Sequence, residues 1–443
     1  MRRTARLVLS VAAGGVSVVA VAAPASAVAA PASVAAAPAV LAGHGGSVRH
    51  ADTSLPSAAS RVRTLLVEPE SGLAKIYASI EGAKKSIDLE MYELVDSRAE
   101  SLLARAAARG VDVRVILDHH LEGTRNAAAR GYLTSRGVSV TWAPPAFYAD
   151  HEKAMVVDTD EAWIMTLNLT SQFYPNTRDF AVLDTTPADV SAIVSTFDAD
   201  FAHRSIVPPV GADLVWSPTN ASSALLSIVA AARSTLWVES EELSDATIVS
   251  ALVAAAHRGI AVHLVMNDTA KYAGAFDELA SAGGKVGTYP GDPGLYIHAK
   301  AVVADAGTSS AEAFIGSQNF SSTSLHDNRE LGLTTRNTAI VRELAAVLER
   351  DYAGSTVWNS PSAPRSSASC TATASPANDG YAGDYDVYVH SNQPNSEATV
   401  SDTTDRYVHE TDGTGYAYVR LWHQYPGEHI SVTVGEAHCS TTA

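Results

Sequence analysis

The chain has 443 residues, 46% of them apolar, a formal net charge of −17 and only two cysteines. Such length suggests two or three domains, and such composition gives them substantial cores. The acidic balance counts against a non-specific nucleic-acid binder, which needs Lys and Arg to neutralise phosphates, although a local basic cleft would still serve.

Arg2, Arg3 and Arg6 open the chain, an apolar run follows from Leu7 to Ala23, and Ala25-Ser26-Ala27 fits a small-residue cleavage site. This pattern predicts a secretory leader over 1–27 and an extracellular protein, not a lasting membrane span. Its removal takes away three arginines and no acid, so −17 becomes −20. Residues 28–60, rich in Ala, Pro, Val and Ser, read as a flexible spacer.

From 61 the pattern is α/β. Leu73 to Lys85 has helical spacing. Ser86 to Leu94 alternates as a strand. Ala99 to Arg109 reads as a helix stopped by Gly110, and Val111 to Leu117 as a buried strand. A helix over Arg125 to Ser135 and a strand over Val138 to Trp142 follow. Alternating strands and helices predict a parallel or mixed sheet covered by helices. The order then returns at an offset of 147–149 residues. Pro218 matches Pro69, Ser234 to Leu243 matches the first strand, and Ala254 to Gly259 matches Ala106 to Gly110. So long a period means duplicated domains, not a solenoid. The repeats are set at 61–205 and 206–357, packed with pseudo-two-fold symmetry. A Ser/Pro/Ala-rich linker over 358–376 leads to a C-terminal module, 377–443. There Tyr385 to Val389, Tyr416 to Trp422 and Ile430 to Val434 alternate with period two, which predicts a small all-β sandwich. Cys370 and Cys439 bracket it, and in an exported chain that pair predicts a disulfide.

Two matched stretches carry the chemistry. One is His151, Lys153, Asp158, then Met165, Thr166 and Asn168. The other is His298, Lys300, Asp305, then Gly316, Ser317 and Asn319. With Leu295 to Val303 as one strand and Ala313 to Asn319 as the next, His298 and Lys300 share a face, as do Ser317 and Asn319. Each copy then offers a nucleophile or proton carrier, a cation and neutral donors, a set suited to the charge on a phosphodiester's non-bridging oxygens. Glu239, Glu241 and Glu242 read as a solvated strand end in preference to a metal cluster. His119 and His120 either line the cleft or sit in a loop. Asn168 and Asn319 also match short glycosylation sequons. Trp142 to Tyr148, Phe173 and Tyr174 are aromatics for acyl chains, for bases or for the core.

The paired pattern resembles the phospholipase D superfamily, in which His-x-Lys-(x)4-Asp and Gly-Ser-x-Asn occur twice. The first copy departs at Met165 and Thr166; Thr166 keeps the hydroxyl, and Met165 is expected to narrow the pocket. The resemblance implies that Asp179 and Glu330 orient the catalytic histidines and that Asp158 and Asp305 are structural. It also implies a phosphohistidine intermediate with His151 as nucleophile and His298 as acid/base, Lys153, Lys300, Asn168 and Asn319 holding phosphoryl oxygens, and neither metal nor cofactor. The leading expectation is a secreted, monomeric phospholipase D-type hydrolase of phospholipid headgroup diesters, with transphosphatidylation open to it and peripheral contact with lipid surfaces. A secreted nuclease is the alternative, and a cardiolipin-synthase-like phosphatidyltransferase stands third, because that role usually comes with membrane-anchoring helices.

Overall fold

The first repeat opens on strand β1 (Val62–Glu68), followed by β2 (Ser86–Met91), β3 (Asp112–Leu117), β4 (Ser139–Trp142), β5 (Lys153–Val157), β6 (Glu161–Met165) and β7 (Thr177–Asp184). These strands belong to a computed structural model that describes residues 61–290, 294–358, 369–377, 385–392, 397–401, 406–412, 415–421, 426–434 and 437–443. The leader, the spacer and 359–368 of the linker lie outside the described residues. In the sheet the order is β1-β7-β6-β5-β2-β3-β4. β2, β3 and β4 run parallel, and the rest pair antiparallel.

The second repeat copies this arrangement with β8 (Leu214–Ser217), β9 (Thr235–Glu239), β10 (Ala261–Asn267), β11 (Lys285–Tyr289), β12 (Ala301–Ala304), β13 (Glu312–Gly316), β14 (Glu330–Thr335) and an added β15 (Thr356–Val357). Its order is β8-β14-β13-β12-β9-β10-β11-β15. Matched chemistry sets the matched helices. Asp96 caps Ser97–Ala108 by accepting from Arg98 and Ala99 N–H, and Asp245 caps Ala246–His257 through Thr247 and Ile248. Both helices stop before a glycine at positive φ, Gly110 at 88° and Gly259 at 85°, a conformation that a side chain would strain.

Strand alternation sorts the core into layers. Ala154, Val156, Ile164, Phe180 and Val182 meet Trp216, Val303, Ile315, Leu331 and Leu333 in one apolar layer between the two sheets. Their neighbours in sequence, Met155, Val157, Trp163, Met165 and Ala181, face the first repeat's helices instead. The repeats are also stapled by charge. Arg178, on β7, holds Asp351 of the second repeat at 2.5 Å, and Arg329, just ahead of β14, holds Asp200 of the first at 2.8 Å; all four side chains are buried. Among the described residues no helix is long and apolar enough to cross a membrane.

The C-terminal module packs β16 (Cys370–Pro376), β17 (Tyr385–Ser391) and β20 (Tyr416–Leu421) against a sheet of β18 (Glu397–Ser401), β19 (Arg406–Glu410), β21 (His429–Val434) and β22 (Ala437–Thr442). Val387, Val389, Val400, Val419, Leu421, Ile430, Val432 and Val434 fill the space between them. Residues 370–376, assigned to the linker by composition, are therefore the module's first strand. Small residues at alternate positions, Cys370, Ala372 and Ala374, pack on its core without a strong apolar signature. Cys439 lies within the last strand, and its bond to Cys370 joins the two sheets.

Candidate active site

Both histidine motifs sit where the repeats meet, and each histidine is held by the other repeat. The backbone N–H of His151 donates to the carbonyl of Arg329 at 2.9 Å, and that of His298 to the carbonyl of Arg178 at 3.2 Å. Just ahead of His298, Tyr296–Ile297 pairs with Thr177–Arg178 as a short parallel strand in the first repeat's sheet. The expected single strand over Leu295 to Val303 is thus broken at 298–300, because the segment leaves one sheet to reach the other. The expected strand to Asn319 likewise ends at Gly316, whose partner is Gly332.

The acids cross over in the same way. Glu330 of the second repeat lies 2.8 Å from His151 Nδ1, and Asp179 of the first lies 2.9 Å from His298 Nδ1. Each acid is steadied from behind. The Thr166 hydroxyl donates to Asp179 at 2.5 Å, while Ser324 and Asn328 donate to Glu330 at 2.5 and 2.9 Å. Thr166 and Ser317 are wholly buried. The expectation that they project donors into the pocket is corrected: their hydroxyls accept from the Phe180 and Leu331 amides on the strands that carry the acids. Met165 does not narrow the pocket either. It lies on the opposite strand face, fully buried in the first repeat's helix-side core. At the matched position a side chain on Gly316 would strike Gly332 Cα at 2.5 Å, so the two repeats pack this strand pair differently.

With Nδ1 of each ring occupied, the opposite edges face one cavity of about 830 Å³ lined by His151, His298, Asn168 and Asn319 from both repeats. Among the described residues the carboxamide oxygens of Asn168 and Asn319 have no hydrogen-bond partner, which leaves an acceptor on each side chain for a donor of the ligand. The lysines lie beneath. Lys153 Nζ donates to the His151 carbonyl at 2.8 Å and Lys300 Nζ to that of His298. Burial, with Lys300 nearby, brings the Lys153 ammonium down to about 7. Burial, then Lys153 and Lys300, pushes His151 well below its usual value, and burial pushes Glu330 up to about 7 against the pull of Lys153. Both shifts reflect a dry site that disfavours charge, and they leave His151 a neutral imidazole with Nε2 free to attack.

Asp158 and Asp305 lie away from the cavity. Asp158 accepts from the N–H groups of Lys84, Lys85 and Ser86, and Asp305 from those of Arg233, Ser234 and Thr235. Each fastens the start of the first parallel strand of its repeat. His119 packs on Trp142, and His120 Nδ1 lies against the Tyr148 carbonyl; neither lines the cavity. The three glutamates are not a solvated strand end: Glu239 is buried, and Glu241 and Glu242 line the cavity. Among the described residues no group of three or more His, Cys, Asp or Glu is arranged to hold a metal ion.

Tyr92 and Tyr296 also line the cavity and escaped sequence reasoning, as did the place of Glu241 in it. The usable signal was positional, since Tyr92 and Glu241 occupy matched places just beyond the first parallel strand of each repeat. The β module also reaches this rim. Tyr418 meets the Tyr148 hydroxyl at 3.2 Å, and Lys271 sits over the Tyr416 ring while contacting Glu242 at 3.6 Å.

A family model described as "Cardiolipin synthase, PLD-like domain" matches residues 76–204 and again 225–352. Cardiolipin synthase A of Pseudomonas aeruginosa PAO1 is 23% identical over 346 residues, covering 68% of this chain and 69% of its own length. Cardiolipin synthase 2 of Bacillus cereus is 25% identical over 339 residues, covering 66% and 64%. Among solved structures, the phosphatidylserine synthase of Haemophilus influenzae Rd KW20 aligns with a TM-score of 0.52 at 12% identity, over 68% of this chain and 89% of that one. A polyphosphate kinase from Porphyromonas gingivalis aligns at 0.54 with 17% identity over 65% of this chain, which spans 46% of the kinase. These two likenesses show a shared fold.

Proposed function

The chain belongs to the phospholipase D superfamily and acts on phosphodiesters, and from that premise we propose that it is a phosphatidyltransferase, passing a phosphatidyl group from a phospholipid to an alcohol. The observation that carries this reading is the reciprocal site: two histidines, each anchored at Nδ1 by the other repeat's acid, facing one cavity. In the first step His151 Nε2 attacks phosphorus, the P–N bond forms, and the headgroup P–O bond breaks. His298 gives its proton to the departing alkoxide. In the second step an acceptor hydroxyl returns its proton to His298 and attacks phosphorus, and the P–N bond breaks. Asn168 and Asn319 donate to the non-bridging oxygens, and the lysines brace the histidine backbone and add positive potential beneath them. The names of the sequence relatives, cardiolipin synthases, support transfer over the hydrolysis favoured from sequence alone.

Hydrolysis is the same intermediate resolved by water. One observation favours it as the second reading: the Cys370–Cys439 disulfide, with the leader pattern, supports work outside the cytoplasm on lipid the cell did not make. Vesicles of phosphatidylglycerol or phosphatidylcholine, incubated with the protein, chelator and a glycerol acceptor, separate the readings by mass spectrometry. Transfer yields cardiolipin or a phosphatidyl-alcohol, and hydrolysis yields phosphatidic acid. Nicked plasmid without any lipid product would refute both.

A further inference from the structure

Within the cavity the repeats differ at one pair of matched positions. Tyr92 and Glu241 each precede an N-capping aspartate by four residues, Asp96 and Asp245. Tyr92 sets its ring edge-on to His151, 4.7 Å between centroids, with Lys153 Nζ 4.9 Å from the ring centre. Glu241 puts a carboxylate in the corresponding place. Its Oε2 lies 3.0 Å from Lys300 Nζ and 3.5 Å from His298 Nε2, and its Oε1 accepts from the Tyr296 hydroxyl at 2.7 Å. Burial opposes this charge, but Lys300, His298 and the Tyr296 hydroxyl together hold the carboxyl well below the usual range. The ring nitrogen that faces a phosphoryl group in the reaction, and the ammonium beneath it, therefore already hold an anion. Glu68, Asp179 and Glu242 line the same cavity, and among the described residues no lysine or arginine does.

We propose that Glu241 is a specificity-determining residue, a fixed negative charge in the phosphoryl site that admits singly charged phosphodiesters and turns away doubly charged phosphates. The inference rests on the phosphodiester reading of the cavity. A phosphoryl oxygen reaches His298 Nε2 only when the carboxylate yields toward Tyr296, and even then the charge stays close by. Repulsion scales with the product of the charges, so a dianion meets twice the penalty of a monoanion at the same distance. Tyr92, at the matched position of the first repeat, carries no charge to add to this repulsion.

The test titrates the full-length protein with sulfate, a tetrahedral dianion, and with dimethyl phosphate, a monoanionic diester, by calorimetry at neutral pH. The proteins are wild type, Glu241→Gln and Glu241→Tyr, the last carrying the residue of the matched position. Because the energies double, the gain for the dianion is the square of that for the monoanion: about tenfold for sulfate against about threefold for dimethyl phosphate. Equal gains for the two anions, or none, overturn the proposal while leaving the phosphoryl site intact. Binding of neither anion by any of the three proteins overturns the proposal and the phosphodiester reading together.

Discussion

Replacing Glu330 with glutamine tests the exchange of acids between repeats. Glu330 is wholly buried, with one oxygen 2.8 Å from His151 Nδ1 and the other receiving Ser324 and Asn328. Glutamine keeps the shape. Its single oxygen satisfies Ser324 and Asn328 only if the amide nitrogen turns toward His151 Nδ1. An N–H facing that nitrogen drives the ring proton to Nε2, the atom that must attack phosphorus. The lost charge-assisted hydrogen bond is worth about 1.5–3 kcal/mol, or about 10- to 150-fold in rate. The wrong tautomer in histidine–carboxylate arrangements costs up to about 10⁴-fold. Phosphoenzyme formation is therefore expected to slow by about 10²- to 10⁴-fold, with little change in melting temperature. Rapid-quench measurement with phosphorus-labelled donor lipid reads it directly. Asp179→Asn is the companion: it weakens the histidine assigned to proton transfer in both steps, so formation and release of label on His151 should both slow. Phosphoenzyme forming on the Glu330→Gln protein within about threefold of the wild-type rate would refute the pairing, and label trapped on His298 would reverse the two roles.

Three further outcomes follow from the same geometry. Arg329→Met leaves Asp200 buried without its cation, and chemical denaturation should register a loss of about 3–5 kcal/mol; a change under about 1 kcal/mol would mean the staple contributes little. Burial raises the carboxyls of Glu68, Glu122, Asp189 and Glu330 to about 7 and that of Asp150 to about 8, and holds Glu90, Glu152 and Glu239 well above the usual range. Between about pH 4.5 and 7 the unfolded chain sheds these protons while the folded chain keeps them, so stability falls as pH rises. His151 and His263, held low by burial, work the other way below about pH 6.5 but are two groups against eight. Calorimetry should give a higher melting temperature near pH 5 than near pH 7, and a rise over that interval would show the carboxyls to be ionised in the fold. Finally, the disulfide closes a separation of 69 residues, and replacing Cys370 and Cys439 with serine should destabilise the β module by about 4 kcal/mol from loop-closure entropy. An unchanged unfolding transition for that module would contradict the entropic account.

The sequence made the duplication legible because each repeat spends its residues on the same local devices: an aspartate cap, an Arg-Gly stop, a buried parallel strand. His151, His298, Asn168 and Asn319 were equally plain, since a short motif repeated at fixed spacing seldom arises by chance. The departures have physical causes. Strand periodicity predicted that His298 lies mid-strand, but it cannot report that the chain crosses from one sheet to another at that point. Thr166 and Ser317 share a parity with the asparagines and so read as pocket donors; their role behind the acids depends on pairings more than ten residues away. Glu241 was read as solvated because charged residues at strand ends usually are, and only the packing of Lys300 beneath it reveals otherwise. The strand at 370–376 was hidden by small residues that pack without being strongly apolar.

The crossed acids also bear on why the site is built from two fused repeats. Neither half carries a complete histidine–carboxylate pair, because Asp179 serves His298 and Glu330 serves His151. The arginines beside those acids, Arg178 and Arg329, reach across in the same sense, so the contacts that hold the halves together and those that orient the histidines run through adjacent residues. A loosened interface therefore disturbs both rings at once. Fusion adds what two identical copies could not have. With both repeats on one chain, the positions beside the two histidines diverge independently, Tyr92 on one side and Glu241 on the other. One ring then has the uncharged Tyr92 ring beside it and a single carboxylate, at Nδ1, a setting suited to attack on phosphorus, while the other has a carboxylate near each of its nitrogens, a setting suited to carrying a proton. The division of labour between attack and proton transfer thus resides less in the matched motifs than in the unmatched residues packed against them.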